Sequence, residues 1–194
     1  MSLASGWRNR ALPILWLPAA LVACSPALDW REVHPEGTGV TALFPCRLDK
    51  HERSVRIAGV DLRIQQHSCD AAGSTFSLAV VDGAEPIRVE PLLAALKAGV
   101  AANIGGTALA EPFAPPGATP NPSSALLHVQ GRLPDGRPVT LHAAFFVHGV
   151  RIYQAAAIGE TLPEDAVRSF FGAISSRRER PPKGPGPRYA GNCR

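Results

Sequence analysis

The chain has 194 residues, with 20 Lys and Arg against 16 Asp and Glu, a net charge of +4. That positive sum is unevenly placed: residues 24–176 carry 12 bases and 15 acids, whereas residues 177–194 carry six bases and one acid, Glu179. A body of net negative charge argues against a nucleic-acid binder, which needs a basic face and usually stacking aromatics.

Arg8 and Arg10 precede an apolar run over residues 11–23 that ends on Leu21, Val22, Ala23 and Cys24. A basic flank and a short apolar core make a secretory signal. As a helix rising ~1.5 Å per residue the run covers roughly 20 Å, short of the ~30 Å bilayer core. Ending on Cys, it resembles the lipobox of bacterial lipoproteins. That resemblance implies removal of residues 1–23, acylation of Cys24, and a membrane-anchored protein of the cell envelope facing the periplasm. Ser25, where an inner-membrane retention signal usually places aspartate, favours the outer membrane.

About 170 residues follow the signal, enough for one domain with a substantial core. Residues 24–35 read as a lipidated tether and 36–176 as the domain. Residues 39–45 form a strand with a proline stop at Pro45. Residues 52–58 alternate with Val55 and Ile57 on one face, and Ala58 and Gly59 mark a turn. In 60–67, Val60, Leu62 and Ile64 oppose Asp61, Arg63 and Gln65, the period of a half-buried strand. Residues 70–73 turn the chain into a strand over 75–82, so an antiparallel meander is expected.

The period then changes. Val89, Leu92, Leu93, Leu96, Val100 and Ile104 recur at three and four, predicting an amphipathic helix from about Val89 that Gly105 and Gly106 end. Residues 111–122 hold five prolines and read as a surface loop. Strands are expected over 125–131, 138–147 and 150–157, joined by the Pro134, Asp135, Gly136 turn and by a turn at His148 and Gly149. Thr161 and Glu164 have capping-box spacing before Val167, Phe170, Phe171 and Ile174, a helix with an aromatic face. The order predicts an α+β fold, an antiparallel sheet of about six to eight strands packed between helices. Residues 177–194, with Pro181, Pro182, Pro185 and Pro187 and little to bury, are expected to be disordered.

Cysteines follow the address. An exported chain meets an oxidising compartment, so Cys46 and Cys69 are expected to pair as a disulfide. Two buried free thiols are the alternative; a zinc pair matches no recognised knuckle spacing. Cys193 is left over, as an exposed thiol or an intermolecular link.

The opening Asp29, Trp30, Arg31, Glu32, then Pro35, Glu36, Gly37, then Val40 to Phe44 and Pro45 resembles the start of bacterial PsbP-like domains. The hairpin through Gly59, the Pro134–Gly136 turn, the strand with Ile152, Tyr153 and Gln154, and the closing helix with Ser169, Phe170 and Phe171 are similar to that family too. The resemblance covers residues 29–176. It implies an α/β/α sandwich and an accessory or assembly role, and transfers no functional residue.

Chemistry-bearing residues are few. Turn arithmetic about Leu133 and Arg137 sets His128 opposite Thr140 or His142, so these histidines are the metal candidates. Two imidazoles fall short of the three or four donors zinc takes, and no metal or cofactor is expected. His67 and Cys69 share a strand face. Ser68 between His67 and Asp70 is not a triad, since neighbouring strand residues face opposite ways. No Gly-x-Ser-x-Gly elbow or phosphate-binding glycine loop occurs, so no catalytic residue is assigned. Phe145 and Phe146 are adjacent on a strand, which predicts a sheet covered on both faces. The basic tail suits anionic lipid headgroups or acidic envelope polymers, or serves only as a solubilising end.

The expected function is a non-enzymatic envelope lipoprotein with an accessory or binding role: membrane held through Cys24, a protein partner in the envelope, no nucleic acid. The alternatives are a carrier of a small apolar ligand in a sheet–helix cleft and a histidine-based metal protein. An apolar cavity of several hundred Å³ beside the second helix would favour the carrier. A third ligand beside His128 and His142 would favour metal, and a filled core would leave the accessory role.

Overall fold

The computed structural model describes residues 28–57, 59–82 and 85–176. The expected signal segment, the expected lipidation site Cys24, Cys193 and the basic tail 177–194 lie outside the described residues.

Alternation produces strands β1 (Arg31–Val33), β2 (Val40–Phe44), β3 (Asp49–Ile57), β4 (Val60–Ala71) and β5 (Ser74–Asp82). A 3₁₀ turn over Pro86–Arg88 leads into helix α1 (Val89–Asn103), followed by β6 (Thr107–Pro112), β7 (Ala125–Arg132), β8 (Pro138–His148) and β9 (Arg151–Gly159). Helix α2 (Glu164–Gly172) and a two-residue strand β10 (Ser175–Ser176) close the described chain. The main sheet has seven strands in the order β3-β4-β5-β9-β8-β7-β6, every neighbouring pair antiparallel. A smaller sheet, β1-β2-β10, is also antiparallel. The fold is therefore α+β, with helices packed on a large antiparallel sheet.

Both faces of that sheet carry a buried apolar layer. Leu62 and Ile64 of β4, Phe145 of β8 and Ile152 of β9 pack in one cluster with Leu92, Leu93 and Val100 of α1. The alternate residues Phe146 and Tyr153 belong to a second cluster with Val40 and Phe44 of β2 and Phe170 and Phe171 of α2. Phe145 and Phe146 thus face opposite layers, as adjacent strand residues must. Central alanines Ala155 and Ala157 present no bulk, which lets the aromatic face of α2 approach the sheet. Tyr153, fully buried, stacks on Phe146 at 4.9 Å and donates its hydroxyl to the Thr38 carbonyl at 2.7 Å. No helix among the described residues is long and apolar enough to cross a membrane.

The expected glycine stop is present at the end of α1. Gly105, at φ +57°, donates to Ala102 O (3.2 Å), and Gly106 donates to Ala101 O (3.1 Å), the paired bonds of a Schellman motif. The Pro134–Gly136 turn closes with Leu133 N donating to Arg137 O (2.9 Å) and Gly136 N to Leu133 O (2.8 Å). Gly131 is needed for packing: a Cβ there would stand 2.2 Å from the Ile104 carbonyl oxygen at the end of α1.

Three expectations are corrected. Residues 28–35 are not only tether, because β1 pairs with β2, Asp29 N donates to Pro45 O (2.8 Å), and Trp30 packs on the α2-side cluster. Residues 111 and 112 are not loop, since they end β6, a sheet-edge strand whose alanine-rich sequence lacks a two-residue hydrophobic alternation. The capping box does not form. Pro163 is the N-cap of α2, with no side-chain cap bond. A residue preceding proline is held extended, so Leu162 cannot be helical and Thr161 lies too early to cap.

Candidate functional site

Helix α2 has nine residues and spans about 13 Å. The seven strands beneath it, spaced ~4.8 Å apart, span roughly 29 Å. With β1, β2 and β10 it covers part of that face and leaves the β6–β8 end open. The result is a groove of about 880 Å³ between α2 and the sheet. Leu126 of β7 and His142 and Thr140 of β8 form its floor, with His128 beside them. Phe113, Leu162, Val167 and Phe171 supply apolar walls, and Glu111, Glu160, Glu164 and Arg168 the charged rim.

The register sets His128 directly opposite His142, one of the two positions that turn arithmetic allowed. His128 Nδ1 lies 3.4 Å from His142 Nε2, and His128 Nε2 lies 3.2 Å from Glu111 Oε1. His128 thus bridges His142 to the Glu111 carboxylate, donating to it from Nε2 and meeting His142 with Nδ1. His142 Nδ1 is buried and without a partner among the described residues. Burial, and next the neighbouring His128, push the His142 imidazole below its ordinary range, against the pull of Glu111. The two imidazoles therefore form a relay ending on a carboxylate.

His128 spends one ring nitrogen on each neighbour, in opposite directions, and no three His, Cys, Asp or Glu among the described residues converge to hold a metal ion. Neither serine nor cysteine lines the groove.

Other candidates are separate from it. Cys46, just after β2, and Cys69 on β4 stand with their sulfurs at disulfide distance, 2.05 Å, and their Cα atoms 5.8 Å apart. His67 shares the α2-side face with Cys69 and is buried, its Nε2 unpartnered among the described residues. Ser68 pairs across to Ser77 on the opposite face, and Asp70 accepts from Thr75 Oγ1 at 2.5 Å, so these three form no triad. Of the groove walls, Val167 and Phe171 belong to the helix face expected from the sequence, whereas Phe113 and Leu162 were missed. Phe113, a lone aromatic among prolines, was the available signal.

Burial first, then the Lys50 ammonium, lowers the His67 pKa, with Glu52 opposing. In the unfolded chain this imidazole protonates near its ordinary ~6.5. Because the folded pKa lies lower, the unfolded state binds the proton first, and stability falls as pH drops below about 6.5. His142 contributes in the same direction. Urea midpoints should fall between pH 7.5 and 5.0. The fall should shrink in His67→Leu, which keeps the site filled and apolar; an unchanged pH slope in that variant would refute the assignment.

No family model matches this chain, and no curated protein matches it, so the geometry above carries the functional argument.

Proposed function

We propose that this chain is a lipid-anchored protein of the bacterial cell envelope that binds a small apolar ligand rather than transforming one. The observation that carries the binding role is the groove beside α2. Its ~880 Å³ lies in the 300–1,000 Å³ range of small-molecule sites, and its lining is mainly apolar with a few convergent polar groups. The histidine relay and the acceptors on the rim supply recognition chemistry, which supports a binding role. The leader over residues 1–23 and Cys24 support export and anchoring by their likeness to a lipobox. The resemblance of residues 29–176 to PsbP-like domains supports an accessory role, in which the bound ligand or a protein partner belongs to an envelope assembly.

The test uses the full chain with Cys24→Ser, titrated with the neutral apolar fluorophore N-phenyl-1-naphthylamine. Saturable binding is expected. Leu126→Trp on the floor and Val167→Trp on the α2 wall should each weaken it at least tenfold by filling the groove. Binding that is absent, or indifferent to both variants, overturns the proposal. For the anchor, mass spectrometry of the native chain should find a diacylglyceryl mass on Cys24, and an intact leader would refute it.

A further inference from the structure

Resting on that binding role, we infer that the groove selects an amphiphile with a cationic, hydrogen-bond-donating head: a long-chain or aromatic amine. The apolar floor and walls take the tail. The head is decided by the rim.

Three carboxylates, Glu111, Glu160 and Glu164, line the groove against a single guanidinium, Arg168. Arg168 lies 3.6 Å from Asp165, one turn back on its own helix, so the groove's one cation among the described lining residues already has a carboxylate beside it. Glu160 is held from the far side by Arg137 at 3.2 Å, and that guanidinium is shared with Asp135 at 2.8 Å. Glu164 makes no ion pair among the described residues, and it sits in the first turn of α2 beside Asp165. The positive end of the α2 dipole is thus occupied by the chain's own acids and is not left for an anionic ligand.

The histidines sharpen the preference. His128 spends both ring nitrogens on His142 and Glu111, and the remaining His142 nitrogen, Nδ1, is buried, so neither ring offers a donor to the groove. What the site offers a ligand head is mainly acceptors: the remaining carboxylate oxygens of Glu111 and Glu164, with the Thr140 and Thr161 hydroxyls able to accept or donate. A carboxylate-headed ligand would set like charges together, whereas an ammonium satisfies the acceptors and the charge at once.

The experiment displaces N-phenyl-1-naphthylamine from the Cys24→Ser chain with dodecylamine or dodecanoate, two probes of equal tail and opposite head, below their aggregation concentrations. Dodecylamine is expected to displace the dye at a concentration at least tenfold lower than dodecanoate. Glu111→Gln with Glu164→Gln, both exposed and so compatible with folding, should cut that preference to threefold or less, with each displacement scaled to the variant's own affinity for the neutral dye. Equal or better displacement by dodecanoate, or a preference that survives both substitutions, overturns the inference and leaves the binding role standing. A chain that never binds the neutral dye overturns both.

Discussion

Phe170→Ala should destabilise the fold by about 4 kcal/mol, toward the upper part of the range for large-to-small core substitutions. Phe170 is fully buried at the centre of the α2-side cluster. Its ring meets Phe44 at 5.1 Å and Phe76 at 5.4 Å, each near edge-on, and Phe171 at 5.0 Å. One side chain therefore joins three elements: α2, the small sheet through β2, and the main sheet through β5. The rings on either side belong to different sheets, so the cavity left by alanine cannot close without moving one sheet against the other. Edge-to-face contacts add to the loss beyond the buried area. Urea denaturation should show the midpoint falling with an unchanged slope. Arg168→Ala, on the exposed side of the same helix, should change stability by less than about 0.5 kcal/mol. A loss under 1 kcal/mol for Phe170→Ala would mean that α2 is not seated as described. Because α2 forms one wall of the groove, the same substitution should also weaken dye binding.

The second large effect belongs to Cys46 and Cys69. Their link closes a loop with a sequence separation of 23, which in the chain-entropy model stabilises the fold by about 3.5 kcal/mol. It ties the segment after β2 to β4, and so fixes the small sheet to the main one. Reduction, or Cys46→Ala with Cys69→Ala, should lower the urea midpoint accordingly. The proposed oxidising address predicts that non-reducing peptide mapping of the native chain recovers the two cysteines in one linked peptide. Recovery of both as free thiols in native material would contradict the address, whatever the stability of the oxidised form.

Much of the architecture is legible along the chain because its causes are local. A period of two in Val60, Leu62 and Ile64 places those residues on one face of β4, and the spacing from Val89 to Ile104 becomes the buried stripe of α1. Phe145 beside Phe146 announces two covered faces, since successive strand residues point opposite ways. Turn arithmetic brought His128 within one residue pair of its true partner, His142, because a tight hairpin fixes register from its own few residues.

The parts that escaped depend on partners remote in the chain. Strand β6 has no alternating apolar pattern and is a strand because β7 offers it an unpaired edge. Arg31–Val33 and Ser175–Ser176 are strands because both flank β2, from opposite ends of the domain. Thr161 carries the letters of a cap, but Pro163 sets the backbone that moves the helix start past its reach. The groove belongs to no segment at all. It exists because a nine-residue helix is too short to cover seven strands, and the charges on its rim meet only when β6, the β9–α2 connection and α2 come together. Periodicity and turn chemistry are properties of a short window and so are written in the sequence. Coverage of a surface is a difference between the sizes of distant elements, and only the assembled tertiary structure decides it.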